Sequence, residues 1–530
     1  MPGMPLQAYA HRVIAAIDSG QVTSKDELNS LKARLCTELK LKSFPSDPDL
    51  LAFAASPSPR VRQLLSIKPV RNLSGVAVVA VMSKPAPCPA HCTYCPSGIG
   101  VETPKSYTGH EPSTMRAIRL HYNPYKIVEN RLQQFEAIGH NADKVELIVQ
   151  GGTFPSLPWR QQKYFVQRVY EAISQKKAPS LSRAKKACET SRHRVVGLTI
   201  ETRPDWCGKK EINRLLELGA TRVELGVQTL NEQIYRLTAR DQTVAEVTEA
   251  TRLLRDSCFK VLYHWMPGQP GSTREGDIED FKRLFDDPDF RPDMLKFYPC
   301  LVIPGTPLFR QWKQGRFKPL SSEQAAEEIA EMKRYIPKYV RVMRVNRDIP
   351  RTMIADGVQR TNLRQLVEEE CRKKGIHCQC IRCHEAGLFA HKKRVRLDPK
   401  RARILVEAYE ASKGLEYFIS AEDLEQGALY GFARLRIPPE GEPFRKEITK
   451  KTGLVRELHV YSHVVPLSSD PAESEFQHRG FGRELMGKAE EIAAREGMKK
   501  LLVIAGLGVR EYYRVQLGYS LDGPYVSRAL

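Results

Sequence analysis

Three things are scarce in this chain of 530 residues. The first is any long apolar run. The longest near the start of the first sheet, residues 75–82, is far short of the ~20 residues a membrane-spanning helix needs. The second is a leader. Met1 to Leu6 shows no charged segment followed by an apolar core, so no secretory signal is read and a cytoplasmic, membrane-free protein is expected. The third is acidic charge. Only 62 Asp and Glu stand against 83 Lys and Arg, a formal net charge of +21. A surplus of that size points to a polyanionic partner, nucleic acid first, with a merely solvated basic surface as the alternative. The chain is too long for one core, and roughly three domains are expected. Its 12 cysteines are clustered, which in a reducing compartment favours metal or cluster ligation over disulfides.

The densest chemistry is in Cys88-Pro89-Ala90-His91-Cys92-Thr93-Tyr94-Cys95, a C-x3-C-x2-C pattern on a proline-bounded loop just after the apolar run. Three thiolates on one loop can hold three irons of a 4Fe–4S cube and leave the fourth open to a small chelating molecule. This is the pattern of radical S-adenosylmethionine (SAM) enzymes. A structural zinc knuckle is the alternative. Zinc wants a fourth protein ligand, and His91 is poorly placed to close a tetrahedron with its own neighbours.

Residues 1–70 read as a basic helical extension. Leu6, Val13, Ile14 and Ile17 recur at helical spacing, and Ser24-Lys25-Asp26-Glu27 has the form of a capping box. Lys25, Lys32, Arg34, Lys40, Lys42, Arg60, Arg62, Lys68 and Arg71 make this segment either a nucleic-acid cap or a solvated face.

From 71 to 340, β-rich runs at 76–82, 145–149, 195–200, 222–227, 260–265 and 295–298 alternate with amphipathic stretches such as 127–138, 164–173 and 244–254. Strand–helix alternation means a parallel sheet, so the fold class is α/β and a partial (β/α)6 barrel is predicted. Reactive residues in such barrels lie at the C-terminal ends of the strands. Those ends carry Gln150-Gly151-Gly152-Thr153, Glu201-Thr202-Arg203-Pro204, Gln228 and Met266-Pro267-Gly268. Gly151 and Gly152 allow close backbone approach to an amino-acid head group. Glu201 and Arg203 are candidates for ribose hydroxyls and a carboxylate, and Gln228 is either a ligand contact or ordinary loop polarity.

Residues 341–400 form a cysteine-rich, basic linker. Cys371, Cys378, Cys380 and Cys383 make a candidate structural Zn²⁺ site, with unligated thiols as the alternative. Lys392-Lys393-Arg394-Val395-Arg396 and Lys400-Arg401-Ala402-Arg403 fit phosphate contacts. In the third unit, 401–530, strands are expected at 428–436, 454–460 and 500–504. Gln477-His478-Arg479-Gly480-Phe481-Gly482 opens a helix over 483–496. A Q-x-x-G-x-G loop there aims backbone N–H groups at a pyrophosphate. Followed by a strand, Tyr512-Tyr513 and Gly518-Tyr519, it resembles motif A of the GNAT acyltransferases, which bind acetyl-CoA. Tyr512 or Tyr513 could protonate a leaving CoA thiolate, or both could pack against the helix.

The combination resembles the Elongator protein 3 family, a radical SAM barrel joined to a C-terminal GNAT α/β domain. Stretches carrying the resemblance include Lys68-Pro69-Val70-Arg71, Ser106-Tyr107-Thr108-Gly109, Asp143-Lys144-Val145-Glu146, Gln150-Gly151-Gly152-Thr153-Phe154, Ile200-Glu201-Thr202-Arg203-Pro204-Asp205, Arg347-Asp348-Ile349-Pro350 and Arg456-Glu457-Leu458-His459-Val460-Tyr461. The resemblance implies a transferase acting on the wobble uridine of tRNA, held by its anticodon stem-loop. It would form 5-carboxymethyluridine from acetyl-CoA with a 4Fe–4S cluster, SAM and an external electron donor. It further implies that Gly480, Phe481 and Gly482 hold the pyrophosphate, that Glu457, Leu458, His459 and Val460 run beside the pantetheine arm, and that Tyr513 and Lys144 lie near acetyl-CoA.

This chain departs from eukaryotic members of the family in its short spacing between the first two cluster cysteines and in its junction cysteines. It therefore resembles a prokaryotic, self-contained form, with the zinc site outside catalysis. Elongator-like subunits, and monomer against homodimer, stay open. The competing reading is a protein lysine acetyltransferase with a structural iron–sulfur barrel.

Overall fold

The computed structural model describes residues 4–41, 44–51, 53–54, 57–65, 75–96, 102–140, 142–461 and 480–530. The capping box forms as read: Ser24 accepts the Glu27 N–H, and the Glu27 carboxylate accepts from the Ser24 N–H (3.2 Å). It starts the helix Lys25–Glu38, which packs with Met4–Asp18, Asp47–Leu51 and Pro59–Leu65 around Tyr9, Val13, Ile17, Leu28 and Leu64. Lys32 does not join the basic face. It turns inward, 2.7 Å from Asp47. Lys42, Lys68 and Arg71 lie outside the described residues.

The next unit is a fully parallel sheet in sequence order: β1 (Ala77–Met82), β2 (Lys144–Gln150), β3 (Arg194–Thr202), β4 (Arg222–Gln228), β5 (Lys260–Trp265), β6 (Met294–Phe297) and β7 (Arg341–Val345). The six expected strands are all present, and β7 is a seventh, beyond residue 340, where the sequence reading ended the barrel. Its Arg341 and Arg344 disguised it as part of the basic linker. Alternate residues of β4 and β5, such as Val223, Leu225, Val261 and Tyr263, join the core shared with the surrounding helices. Their neighbours Arg222, Glu224, Gln228 and His264 fall on the opposite face, as the period of two requires.

The C-terminal unit is a second seven-stranded sheet. Strands β8 (Arg403–Ala411), β9 (Gly414–Asp423), β10 (Ala428–Ile437) and β11 (Thr452–Val460) form an antiparallel meander. The helix Phe481–Arg495 precedes β12 (Lys500–Val503), which runs parallel to β11. Strands β14 (Tyr525–Ala529) and β13 (Ser520–Asp522) finish the sheet.

This second sheet docks at the N-terminal ends of the barrel strands. Arg456 of β11 grips Asp293, just before β6, with two bonds of 2.6 and 2.7 Å, and donates to the Phe259 carbonyl (2.9 Å). Arg434 of β10 reaches the Tyr339 carbonyl (2.7 Å), and the Cys258 thiol lies 3.2 Å from the Val455 carbonyl. Arg434, Arg436 and Arg456 are fully buried. Burial opposes the charge on Asp293, but Arg456 and Arg434 hold its pKa below the ordinary carboxylate range. Buried charges are tolerated here because every one has a partner.

Candidate active site

The cysteine loop leaves β1 and is pinned on both sides. The Thr93 N–H donates to the Thr238 carbonyl, and the Leu308 N–H to the Thr93 carbonyl, each at 2.9 Å. Cys88, Cys92 and Cys95 line one pocket at the C-terminal ends of the barrel strands. Polar groups surround their sulfurs. The Thr153 hydroxyl is 3.7 Å from Cys88 Sγ and the Ser106 hydroxyl 3.6 Å from Cys95 Sγ. Arg240 Nη1 lies 3.6 Å from Cys92 Sγ and donates to the Tyr94 hydroxyl (3.0 Å). Such neighbours stabilise a negatively charged thiolate cluster and tune its potential. His91 is exposed and outside the pocket lining, so it does not supply the fourth ligand a zinc knuckle would need.

Gln150, Gly152, Glu201, Arg203 and Gln228 line the same pocket. Gly151 does not, but it makes the turn possible. Its φ of +134° is open to glycine, and a Cβ there would sit 2.1 Å from Ser83 Oγ. Glu201 accepts from the Tyr107 hydroxyl (2.9 Å) and from Gln150 Nε2 (3.5 Å). Arg203 is stapled to Asp205 (2.8 and 3.0 Å) and to the Asp241 carbonyl (2.7 Å). Three buried polar atoms on this wall have no protein partner among the described residues: Gln150 Oε1, Gln228 Oε1 and Arg203 Nη1. Buried polar groups are almost always satisfied, so orphans grouped in one pocket fit a polar ligand such as SAM. Gln228 is further held at a left-handed φ of +74°, uncommon for a side chain of its size.

Beneath the rim lies a charge network that sequence reasoning missed. Glu224 accepts from His264 Nε2 (3.0 Å) and from Lys296, which also lies 3.6 Å from Glu201. Arg222 Nη2 is 3.5 Å from Glu224, and Arg222 Nη1 is 2.5 Å from Glu146. Glu201, Glu224 and His264 present ligand atoms within 4.8 Å of one another, but the Lys296 ammonium already supplies the cation between the carboxylates. The available signal was charge inside strands buried on both faces: Arg222 and Glu224 in β4, His264 in β5, Lys296 in β6. Tyr107 and Arg240, which touch the same pocket, gave no such periodic signal.

In the C-terminal sheet, β11 and β12 pair only from Thr452 with Lys500 to Val455 with Val503. Beyond this, Glu457, Leu458, His459 and Val460 pair with β10 on one side, while β12 has ended on the other. Among the described residues, that opening leaves backbone groups free to pair with an amide-bearing chain such as pantetheine. Glu457 is bound to Arg434 (2.9 Å), and His459 stacks on Phe432 (5.9 Å) and lies tilted against Tyr461 (4.4 Å). Burial pushes His459 down to about 4, so it is neutral at physiological pH.

Gly480 caps the helix Phe481–Arg495, and a Cβ on Gly482 would fall 2.7 Å from the Tyr512 hydroxyl. Tyr512 thus reaches the helix start. Tyr513 instead lies in the core of the sheet, its ring edge-on to Tyr512 and Tyr519. Burial raises the pKa of both tyrosines, keeping them protonated. Gln477 lies outside the described residues. Lys144 starts β2 at the end of the barrel facing this sheet. It pairs in register with Arg194, against which Gly508 packs. Lys144 is therefore at the opposite end of the strand from Gln150 and the cysteines.

At the junction, Cys378, Cys380 and Cys383 bring their sulfurs within 4.8 Å of one another, and Lys333 Nζ lies 3.2 Å from Cys378 Sγ. Cys371 stays outside this group. It is buried on the helix Leu363–Lys373 as part of the main core. His384 is engaged at both nitrogens by the Gly427 and Cys378 carbonyls (2.8 and 3.1 Å).

Known proteins share this arrangement. The radical SAM superfamily matches residues 86–285, the radical SAM C-terminal domain 292–373, the ELP3 N-terminal domain 6–73, and the acetyltransferase (GNAT) family 388–519. A protein named tRNA uridine(34) acetyltransferase from Methanocaldococcus infernus is 46% identical over 99% of both chains. Elongator complex protein 3 of Homo sapiens is 42% identical over 98% of this chain and 96% of its own. The solved structure of M. infernus Elp3 with an N-terminal deletion is 45% identical, with a TM-score of 0.76, covering 86% of this chain and all of that one. With relatives this similar over nearly its whole length, the chain belongs to the family of Elongator complex protein 3 and the archaeal tRNA uridine(34) acetyltransferases.

Proposed function

We propose that this protein modifies the wobble uridine of tRNA, forming 5-carboxymethyluridine from acetyl-CoA. The observation that carries the reading is the pairing of two cradles on one body. A cysteine-lined pocket with orphaned polar atoms lies at one end of the barrel, and a splayed strand beside a helix N-terminus lies on the sheet docked at the other. Cys88, Cys92 and Cys95 would hold a 4Fe–4S cluster. Bound there with SAM, the cluster supplies a carbon radical able to take hydrogen from an unactivated methyl group.

The chain's own residues do the rest. Gln150, Gly152, Glu201, Arg203 and Gln228 hold the amino-acid and ribose parts of SAM. The backbone of Glu457–Val460 pairs with pantetheine, while Gly480 and Gly482 clear space for the pyrophosphate at the helix start. Tyr512, protonated and at that helix start, gives its proton to the departing CoA thiolate. Tyr513 supports it by packing. Lys144, at the end of β2 that faces the second sheet, steers the acyl group toward the barrel. The exposed run Lys392, Lys393, Arg394 and Arg396 contacts tRNA phosphates. Cys378, Cys380 and Cys383, with Cys371 on the neighbouring helix as the fourth ligand, take a structural zinc ion, and the protein works in the cytoplasm with an external electron donor.

The test is to incubate the reconstituted full chain anaerobically with SAM, reductant, acetyl-CoA and tRNA, and to digest the tRNA for mass spectrometry. Carboxymethylation of the wobble uridine is expected. An unchanged uridine alongside acetylation of a lysine peptide would replace this reading with protein acetylation.

A further inference from the structure

We infer that His264 is the proton acceptor of the modification step, a role that rests on the carboxymethylation reading above. Glu224 is fully buried. Burial opposes its ionisation, but Lys296, His264 and Arg222 keep its pKa low, so it is a carboxylate. A carboxylate can only accept, so the 3.0 Å contact fixes the proton of His264 on Nε2. In the neutral imidazole Nδ1 is then the lone-pair nitrogen. It has no hydrogen-bond partner among the described residues, and His264 is the histidine lining the pocket of Cys88, Cys92 and Cys95. Tyr298 stands edge-on to the ring at 5.1 Å and limits its rotation. The other acids on the pocket wall are committed. Glu111 accepts from Thr108 and Thr114, Asp348 pairs with Arg344 (2.6 Å), and Glu201 is held by Tyr107.

The chemistry needs such a base. When the acetyl carbon radical adds to C5 of uridine, the C5–C bond forms, the C5=C6 π bond breaks, and the unpaired electron rests on C6. Restoring the double bond requires the C5–H bond to break. Its proton passes to His264 Nδ1. Of the three electrons then on C5 and C6, two remake the π bond, and one leaves to a one-electron acceptor of the iron–sulfur class. A positioned imidazole backed by a buried carboxylate is suited to that transfer.

The experiment uses the reconstituted full chain carrying His264→Gln, which keeps an N–H donor toward Glu224 but removes the base. His264→Asn serves as the second variant. SAM affinity by equilibrium dialysis is expected to stay within about 2-fold of wild type, and 5′-deoxyadenosine to form. Carboxymethyluridine per 5′-deoxyadenosine should fall roughly 100-fold, the usual scale of a general base. Uridine carrying deuterium at C5 should show a primary isotope effect in the variants that is small in wild type. An unchanged product ratio in a variant that still binds SAM overturns the role of His264 and leaves the proposed function standing. Wild-type protein that yields no carboxymethyluridine overturns both.

Discussion

The two ends of the barrel handle buried charge in opposite ways. At the N-terminal end, Arg456, Asp293, Glu416 and Arg436 bond to one another and to Asp256, the Phe259, Ala411 and Ser412 carbonyls take further donors, and Arg434 Nη1 stands 3.6 Å from Asp293. At the C-terminal end, Gln150, Gln228 and Arg203 each keep an unpartnered buried atom beside three thiols. The closed network is architecture, because its charges are paired with one another in fixing the second sheet against the barrel. The open one is a receptor, because its desolvation cost is recovered only when something polar binds.

The strongest way to break this comparison is at the open end. Cys92→Ser should cut SAM cleavage roughly 10³-fold or more, measured as 5′-deoxyadenosine, with the melting transition little changed. A retained cleavage rate would mean that the pocket is not the cluster site. The closed end is tested by Arg456→Met, which takes its two shortest ion-pair bonds from Asp293 and two more from Glu416 and should cost ~3–5 kcal/mol in denaturant unfolding.

Acid adds a second readout there. The folded pKa of Asp293 lies below the ordinary value of ~3.9, so its stabilising contribution is complete above that pH and is lost as pH falls through the folded value. Asp293→Asn should therefore flatten the acid limb of the stability curve and leave neutral-to-alkaline dependence unchanged.

A subtler probe of the open end is Gly151→Ala. The strained φ and the contact with Ser83 should weaken SAM binding by about 10–100-fold, from ~1–3 kcal/mol of local strain. Unfolding should fall by no more than that same ~1–3 kcal/mol, because the folded turn bears the strain with or without SAM. Smallest is the contrast between the two tyrosines. Tyr512→Phe should slow CoA release about 10-fold, less than a typical general acid contributes, because a thiolate leaves readily. Tyr513→Phe should leave CoA release unchanged, since its ring is core.

Much of this was legible in the chain because the informative residues are neighbours in sequence. AVVAVM and KVELIVQ read as strands buried in a parallel sheet, and the C-x3-C-x2-C loop needs only its own spacing to be recognised. What escaped depends on register between distant segments. Arg341-Val342-Met343-Arg344-Val345 looks like basic linker until β6 lies beside it and Glu385 and Asp348 take up its arginines. Glu224, His264 and Lys296 lie on three different strands, and no local pattern announces that they meet. Tyr512 and Tyr513 are adjacent, and only the wide π-type turn of Tyr512–Gln516 decides which of them faces the helix start. Cys371 faces the same Lys333 and Cys378 from its own helix, with its sulfur outside the 4.8 Å group that Cys378, Cys380 and Cys383 form.

The central claim is that the two ends of the barrel act on one acetyl group. The direct test supplies acetyl-CoA deuterated at the methyl group, with SAM, reductant and tRNA, and examines the 5′-deoxyadenosine by mass spectrometry. One deuterium in that product is the result expected if the radical formed at the open end takes its hydrogen from the acetyl group held by the second sheet. Deuterium-free 5′-deoxyadenosine, formed while the wobble uridine is being modified, would contradict it.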